Sequence, residues 1–295
     1  MHSQLTRPGT LIGLFFLLLL IFQQAAVASS PVWKIENAGH VSYLAGTVHI
    51  LRASDYPLPK AFDQAYQQAA ILAFEVDIDA SRSPDFNQAM LQISLLPQGQ
   101  TIRDHLSKDT YQQLTDYLKK NQLPIQQFST LRPSILAITL TMLEMQKMGV
   151  GDQGVDEHFY TKAKREGKTV QALESIQQQI DFIAQMGIGV EDEMIRQTLA
   201  DITTLQTEFN AMIKSWRNGD RAQLAELFVT PMREQFEPVY QQLLVQRNQN
   251  WMPKIHQYLK TPETELILVG SAHLLGPDGL LQQLEKSGYR ITQLD

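Results

Sequence analysis

Val41-Ser42-Tyr43-Leu44-Ala45-Gly46-Thr47-Val48-His49-Ile50-Leu51 is answered far along the chain by Glu265-Leu266-Ile267-Leu268-Val269-Gly270-Ser271-Ala272-His273-Leu274-Leu275. Each is a short apolar run, then Gly-[Thr/Ser]-x-His, then two aliphatic residues. Runs of this length and composition read as buried strands, and a glycine at a strand end allows a sharp turn or the close approach of another backbone. The histidine then falls at the carboxyl end of its strand, the edge of an open α/β sheet where ligands bind. A single histidine after a strand is ordinarily a hydrogen-bonded structural residue. The same ionisable group placed twice in one phrase points to a shared site, provided the two strands are neighbours.

Working outward, Val32-Trp33-Lys34-Ile35-Glu36 precedes the first phrase across the turn-forming Asn37-Ala38-Gly39-His40, which predicts a β-hairpin with His40 at the surface. Pro57 and Pro59 introduce a helix, and Ala70-Ile71-Leu72-Ala73-Phe74-Glu75-Val76-Asp77 predicts another buried strand. An acid in an apolar strand is costly to bury unless it is paired or bound to a cation. Asp77 suits an exposed strand end; Glu75, between Phe74 and Val76, does not. From Ser83 to Met148 the periodicity is helical, with helix starts at Ser107 and Pro133, and Met142, Met145 and Met148 read as core packing. Gly149 to Asp156 is a glycine-rich turn before a helix; with no Lys-[Ser/Thr] after it, it is no phosphate loop. Thr169 to Glu174 is a further short strand ending in an acid. Val190 to Trp216 and Arg221 to Gln246 read as helical, the second broken at Pro231, and Arg247 opens a helix to about Lys260. A helix from Leu280 and a last strand reaching Leu294 follow the second phrase. The class expected is α/β: a central mixed sheet, helices around it and a largely helical insertion.

Composition narrows the function. A hydrophobic fraction of 43% in 295 residues supports a sizeable core. With 25 Lys+Arg against 31 Asp+Glu and no basic patch, no nucleic-acid partner is expected. The absence of cysteine excludes disulfides, thiolate metal sites and a lipid-modified cysteine, so any metal ligands must be His, Asp or Glu. Arg7, the apolar stretch Leu11 to Phe22 and the small-x-small Ala26-Val27-Ala28 predict a signal peptide over 1–28 and a mature chain from Ser29. The expected location is periplasmic or secreted, with membrane contact only through that segment if it stays uncleaved.

His49, Glu75, Glu174 and His273 each close a predicted strand, and parallel neighbours would present them on one edge. Two imidazoles and one or two carboxylates can hold a divalent cation with a position left open for water. Such a cation acidifies bound water and polarises a carbonyl, and a carboxylate left off it can serve as general base. Without metal, the same groups can run acid–base hydrolysis directly. There is no Gly-x-Ser-x-Gly elbow and no His-Glu-x-x-His helix.

The ordered set runs from Trp33 and Tyr43-Leu44-Ala45-Gly46-Thr47-Val48-His49 through Phe74-Glu75-Val76-Asp77 and Gly154-Val155-Asp156. It continues through Leu173-Glu174-Ser175, Arg247-Asn248 and Trp251 to Val269-Gly270-Ser271-Ala272-His273-Leu274. It resembles the TraB/GumN family over nearly the whole mature chain, Val32 to Leu294. In its paired Gly-x-x-His motifs that family is similar to the Tiki metalloproteases, and more remotely to erythromycin-esterase-like and haem-binding ChaN-like proteins. The resemblance implies a single α/β domain over 29–295 of erythromycin-esterase/ChaN-like type and a metal-dependent hydrolase site. By it, His49, His273, Glu75 and Glu174 are the metal residues, for Mn, Co or Zn. Glu75, Glu174, Arg247 and Asn248 are the catalytic candidates. Arg247 and Asn248 would orient substrate or a developing oxyanion; the structural alternative for them is a helix N-terminal cap and a salt bridge. The implied substrate is a peptide, or else a small molecule, with a peptidase the first reading. Capture of a peptide or small ligand without turnover, or haem or iron binding through the histidines, is the alternative.

Overall fold

Two strands that carry the repeated phrase lie side by side at the centre of one six-stranded mixed sheet, of order β4-β3-β5-β2-β1-β6. The strands are β1 (Val32–Asn37), β2 (His40–Thr47), β3 (Ile71–Phe74), β4 (Thr169–Ala172), β5 (Glu265–Gly270) and β6 (Arg290–Gln293). This is a computed structural model, which describes residues 29–151 and 153–295. The predicted leader and its cleavage point lie outside the described residues.

The expected hairpin forms: β1 pairs antiparallel with β2, and the turn residues Ala38 and Gly39 take φ of 48° and 88°. Two positive φ values give the turn whose twist matches that of paired strands. β5 runs parallel to β2 on one side, Thr47 opposite Gly270, and parallel to β3 on the other, Phe74 opposite Leu268. β4 continues the parallel set beyond β3, and β6 closes the far edge against β1. Every residue of β5 is buried, as befits a strand covered on both faces and both edges.

The sheet core gathers Trp33, Phe62, Phe74, Trp216 and Trp251, and Met145 and Met148 pack against it as expected. A second apolar cluster, including Ile102, Leu114, Leu118, Phe128, Leu136 and Leu140, is built by the helical segment itself. Serine side chains cap three helices: Ser83 before Pro84–Ser94, Ser107 before Lys108–Lys120 and Ser175 before Ile176–Gln185. No helix of the described residues is long and apolar enough to cross a membrane.

Two expectations about the helices are corrected. Pro231 does not break its helix. Arg221–Leu224, a π turn Ala225–Val229 and Thr230–Gln235 run on continuously, and the interruption falls at Phe236, with φ −134° and ψ 53°. Pro231 stands at the start of the segment that follows the π turn, where the regular ladder is already interrupted and its missing N–H is tolerated. Nor does Arg247 open a helix. Glu237–Tyr240, a second π turn Gln241–Val245 and Gln246–Tyr258 are continuous, so Arg247 and Asn248 cannot be an N-terminal cap.

Candidate functional site

The four strand-end residues come to one edge in the order of their strands: Glu174 after β4, Glu75 after β3, His273 after β5 and His49 after β2. All four lie one to three residues beyond the last ladder residue, so the strands are shorter than their apolar runs suggest. Pairing nonetheless persists past β3 and β4. Leu173 N donates to Phe74 O and Glu174 N to Glu75 O, each at 2.8 Å, which sets the two acids beside each other.

Both acids are buried, and both turn to Arg247. Its Nη2 donates to Glu75 Oε2 at 2.6 Å and to Glu174 Oε1 at 2.7 Å, and its Nε to Glu174 Oε2 at 3.2 Å. The guanidinium lies over the rings of Trp251, 4.7 Å from its centroid, and Phe182, at 5.4 Å. A π turn just ahead of Arg247 shifts the helix phase and aims two successive residues, Arg247 and Asn248, at the sheet edge. Glu75 Oε1 accepts from Gly270 N at 2.6 Å. Burial works to raise the Glu75 carboxyl, but Arg247, the two histidines and the Gly270 amide outweigh it and hold the group well below the usual carboxylate range. Glu174 is engaged on both oxygens, because Trp251 Nε1 adds a bond to Oε2 at 3.0 Å.

His273 lies in the short helical turn Ser271–Leu274, not in the strand. Asn248 Nδ2 donates to the carbonyls of His273 and Asp278 at 3.0 and 2.9 Å, which leaves its Oδ1 to accept from His273 Nδ1 at 2.7 Å. The proton is thereby placed on Nδ1. Nε2 keeps its lone pair, which accepts from Arg247 Nη1 at 3.1 Å. Burial pushes this imidazole down to about 3, against Glu75 and aided by Arg247, so His273 is neutral. Its ring packs on Trp251 with centroids 4.4 Å apart.

His49 is the open member of the set, with a side chain 59% exposed. Asp156, in the first turn of the helix Val155–Glu166, bonds its Nδ1 at 2.8 Å and accepts from Thr47 Oγ1 at 3.0 Å. The charge of Asp156, more than burial, sets its protonation and raises it to about 9. Two glycines make room for this arrangement. A Cβ on Gly154 would stand 2.1 Å from the His49 carbonyl, and one on Gly270 would stand 3.1 Å from His49 Nε2 and 3.2 Å from Glu75 Oε1.

His49 Nε2 and His273 Nε2 are each 3.9 Å from Glu75 Oε1. Donors bonded at about 2 Å to one tetrahedral ion stand roughly 3.3 Å apart. Both imidazoles therefore stand slightly wide of Glu75, and among the described residues no three His, Asp or Glu groups already form a metal cage. The donor types do fit a first-row cation: two imidazole nitrogens whose other nitrogen is held by an oxygen acceptor, and one carboxylate. Arg247 takes the His273 lone pair that such a cation would need. Asp156 and Trp251 were not singled out as site residues from the sequence. Their only signal there was a place in the ordered set of short motifs.

A mixed α/β protein with paired imidazoles and a buried Glu–Arg–Glu cluster on its carboxyl edge is thus defined. The chain belongs to the TraB/PrgY/gumN family, whose model matches residues 31–293. It is 26% identical over 247 residues to the uncharacterized protein YbaP of Shigella flexneri, covering 82% of this chain and 87% of that one. To YbaP of Escherichia coli the identity is 25% over 246 residues, with the same coverage. Similarity reaches the metalloprotease TIKI1 of Xenopus tropicalis, 22% identical over 317 residues, 89% of this chain but 61% of that protein. No solved structure matches.

Proposed function

We propose that this protein is an exported metal-dependent hydrolase, most readily a peptidase. The observation that carries the reading is the pair of imidazoles whose Nδ1 atoms are held by Asp156 and Asn248 while both Nε2 atoms face one oxygen of Glu75. The distant similarity to a metalloprotease supports it. His49, His273 and Glu75 would hold a divalent ion, Mn, Co or Zn, which would supply Lewis acidity and an acidified water. The chain's own groups do the rest. Asp156 fixes the His49 ring, Asn248 the tautomer of His273, and Glu174 with Trp251 the guanidinium of Arg247. Arg247 is a ready donor for a carbonyl oxygen that gains charge, and it can turn to that role by releasing His273.

Metal content of the purified protein, and cleavage of a peptide library with and without Mn²⁺, Co²⁺ or Zn²⁺, test the reading. One equivalent of metal and metal-dependent cleavage are expected; neither appearing in any of the three ions sinks it. Because His49 must lose its proton to bind metal, apparent affinity should rise with pH up to about 9.

The second reading, ligand capture without turnover, is favoured by Arg247 engaging both acids in ion pairs. Binding of peptides with no cleavage in any metal would select it. Export to the periplasm or beyond rests on the leader pattern of residues 1–28. Sequencing the N-terminus of protein from its host should give Ser29, and an intact Met1 in the membrane fraction would overturn the cleaved leader.

A further inference from the structure

A cavity of about 600 Å³ opens between the helices Glu191–Asp201 and Leu205–Arg217 and the helical stretch from Glu226 to Val239. Its size is that of a ligand site. Its walls are apolar and methionine-rich, with Met194, Phe209, Met212 and Met232, and Phe228 at the rim is 39% exposed. Methionine walls adapt to varied apolar side chains. Three acids, Asp201, Glu208 and Glu226, share the lining, and among the described residues no Lys, Arg or His takes part in it. Their hydrogen-bond partners are neutral: Gln197 for Asp201, Thr204 for Glu208 and Thr230 for Glu226. Burial first, and then the charge of Glu208, raises the Asp201 carboxyl against its bond from Gln197. The cleft therefore combines apolar walls with negative charge that no described residue of its lining balances.

The cleft and the site are built on shared elements. Val239, in its wall, is eight residues before Arg247 on one continuous helix, about 12 Å along the axis. On the other side Arg52, three residues after His49, lies over the Phe209 ring at 5.0 Å. An extended peptide crosses such a gap in about four residues.

We propose that this cleft binds an apolar, cationic peptide segment, and that it holds the part of a substrate lying some four residues from the bond presented to His49 and His273. The link to bond cleavage rests on the hydrolase reading; the binding does not. Charge complementarity chooses the occupant, since an acidic segment or a second copy of this net-negative chain would be repelled.

Fluorescence anisotropy on the mature protein tests this with two dye-labelled probes, one alternating Leu and Lys, the other alternating Leu and Glu. The Leu/Lys probe should bind at least about tenfold more tightly. Glu208→Lys with Glu226→Lys should reverse that order; both residues are exposed, so folding is spared, and circular dichroism checks it. Phe228→Asp should weaken the Leu/Lys probe. Binding should persist in His273→Ala. Equal affinity for the two probes, or an order unchanged in the double variant, overturns the proposal. So does a dimer that Phe228→Asp dissociates while probe binding is unaffected, because the groove then serves a second copy. Tight binding of the Leu/Lys probe, together with no metal bound and no cleavage in the peptide library, leaves the cleft assigned and the hydrolase reading refuted.

Discussion

Arg247→Met should destabilise the protein by about 3–5 kcal/mol, because it leaves two carboxylates buried without their cation. Methionine keeps most of the apolar contact with Trp251 and Phe182, so the loss reports charge and hydrogen bonding more than packing. Glu75 and Glu174 are 7% and 8% exposed, too little for water to take over the role of the guanidinium. Urea unfolding at pH 7 measures the loss directly. The pH dependence carries an independent signature. In the wild type, Glu75 is held below its ordinary 4.5, so its contribution is fully present above that value and is lost as pH falls through the depressed folded value. In the variant the largest influence opposing burial at Glu75 is gone and only the histidines and the Gly270 amide remain, so the stability lost on acidification should be smaller than in the wild type. Adding Glu75→Gln to Arg247→Met should recover part of the loss at pH 7. A loss below about 1 kcal/mol, typical of a solvent-exposed pair, would show that this cluster is not sealed.

On the hydrolase reading, His273→Ala and Glu75→Gln should each lower the rate by about three orders of magnitude, some 4 kcal/mol of barrier. The fold should survive His273→Ala at a cost of about 1–3 kcal/mol, from the Asn248 oxygen and Arg247 donor left unpaired. The two variants separate roles. Loss of metal in Glu75→Gln marks Glu75 as a ligand; retained metal with lost turnover marks it as the base. Metal content, circular dichroism and rate, measured on the same samples, decide between these. Full activity with full metal content in both variants would remove this edge from the chemistry.

The strands and their meeting edge were readable because the determinants are local. A short apolar run ending in glycine is a strand wherever it lies, and an acid at the end of such a run, as at Glu75, announces a partner. The hairpin of Val32 to Thr47 and the serine-capped helices were readable for the same reason. What stayed hidden is what depends on helix phase and long-range pairing. A π turn leaves no mark in composition, so nothing around Gln241 to Val245 announces that Arg247 will point between Glu75 and Glu174. Pro231 read as a break because proline breaks regular α-helices, and the irregularity that accommodates it is the other π turn. Asp156 looked like the ordinary acid of a helix's first turn, and only the approach of the His49 backbone to Gly154 makes it a partner of the imidazole.

The placing of β5 has a consequence for how the chain comes into being. β5 lies between β3 and β2, yet it follows both by far in sequence: the contact from Ser42 to Glu265 spans 223 positions. Until residues 265–270 have been synthesised, β2 and β3 each present an open edge, and no local pairing can bring His49 to Glu75. Such long-range closure is slow, and open edges invite pairing with other chains. Between the completion of β4 at Ala172 and the arrival of β5 at Glu265 the nascent protein can hold two half-sheets but no site, and its last central strand joins them and assembles the site in one step. A nascent chain stalled before that strand should be bound by chaperones and open to proteases, however native its helices.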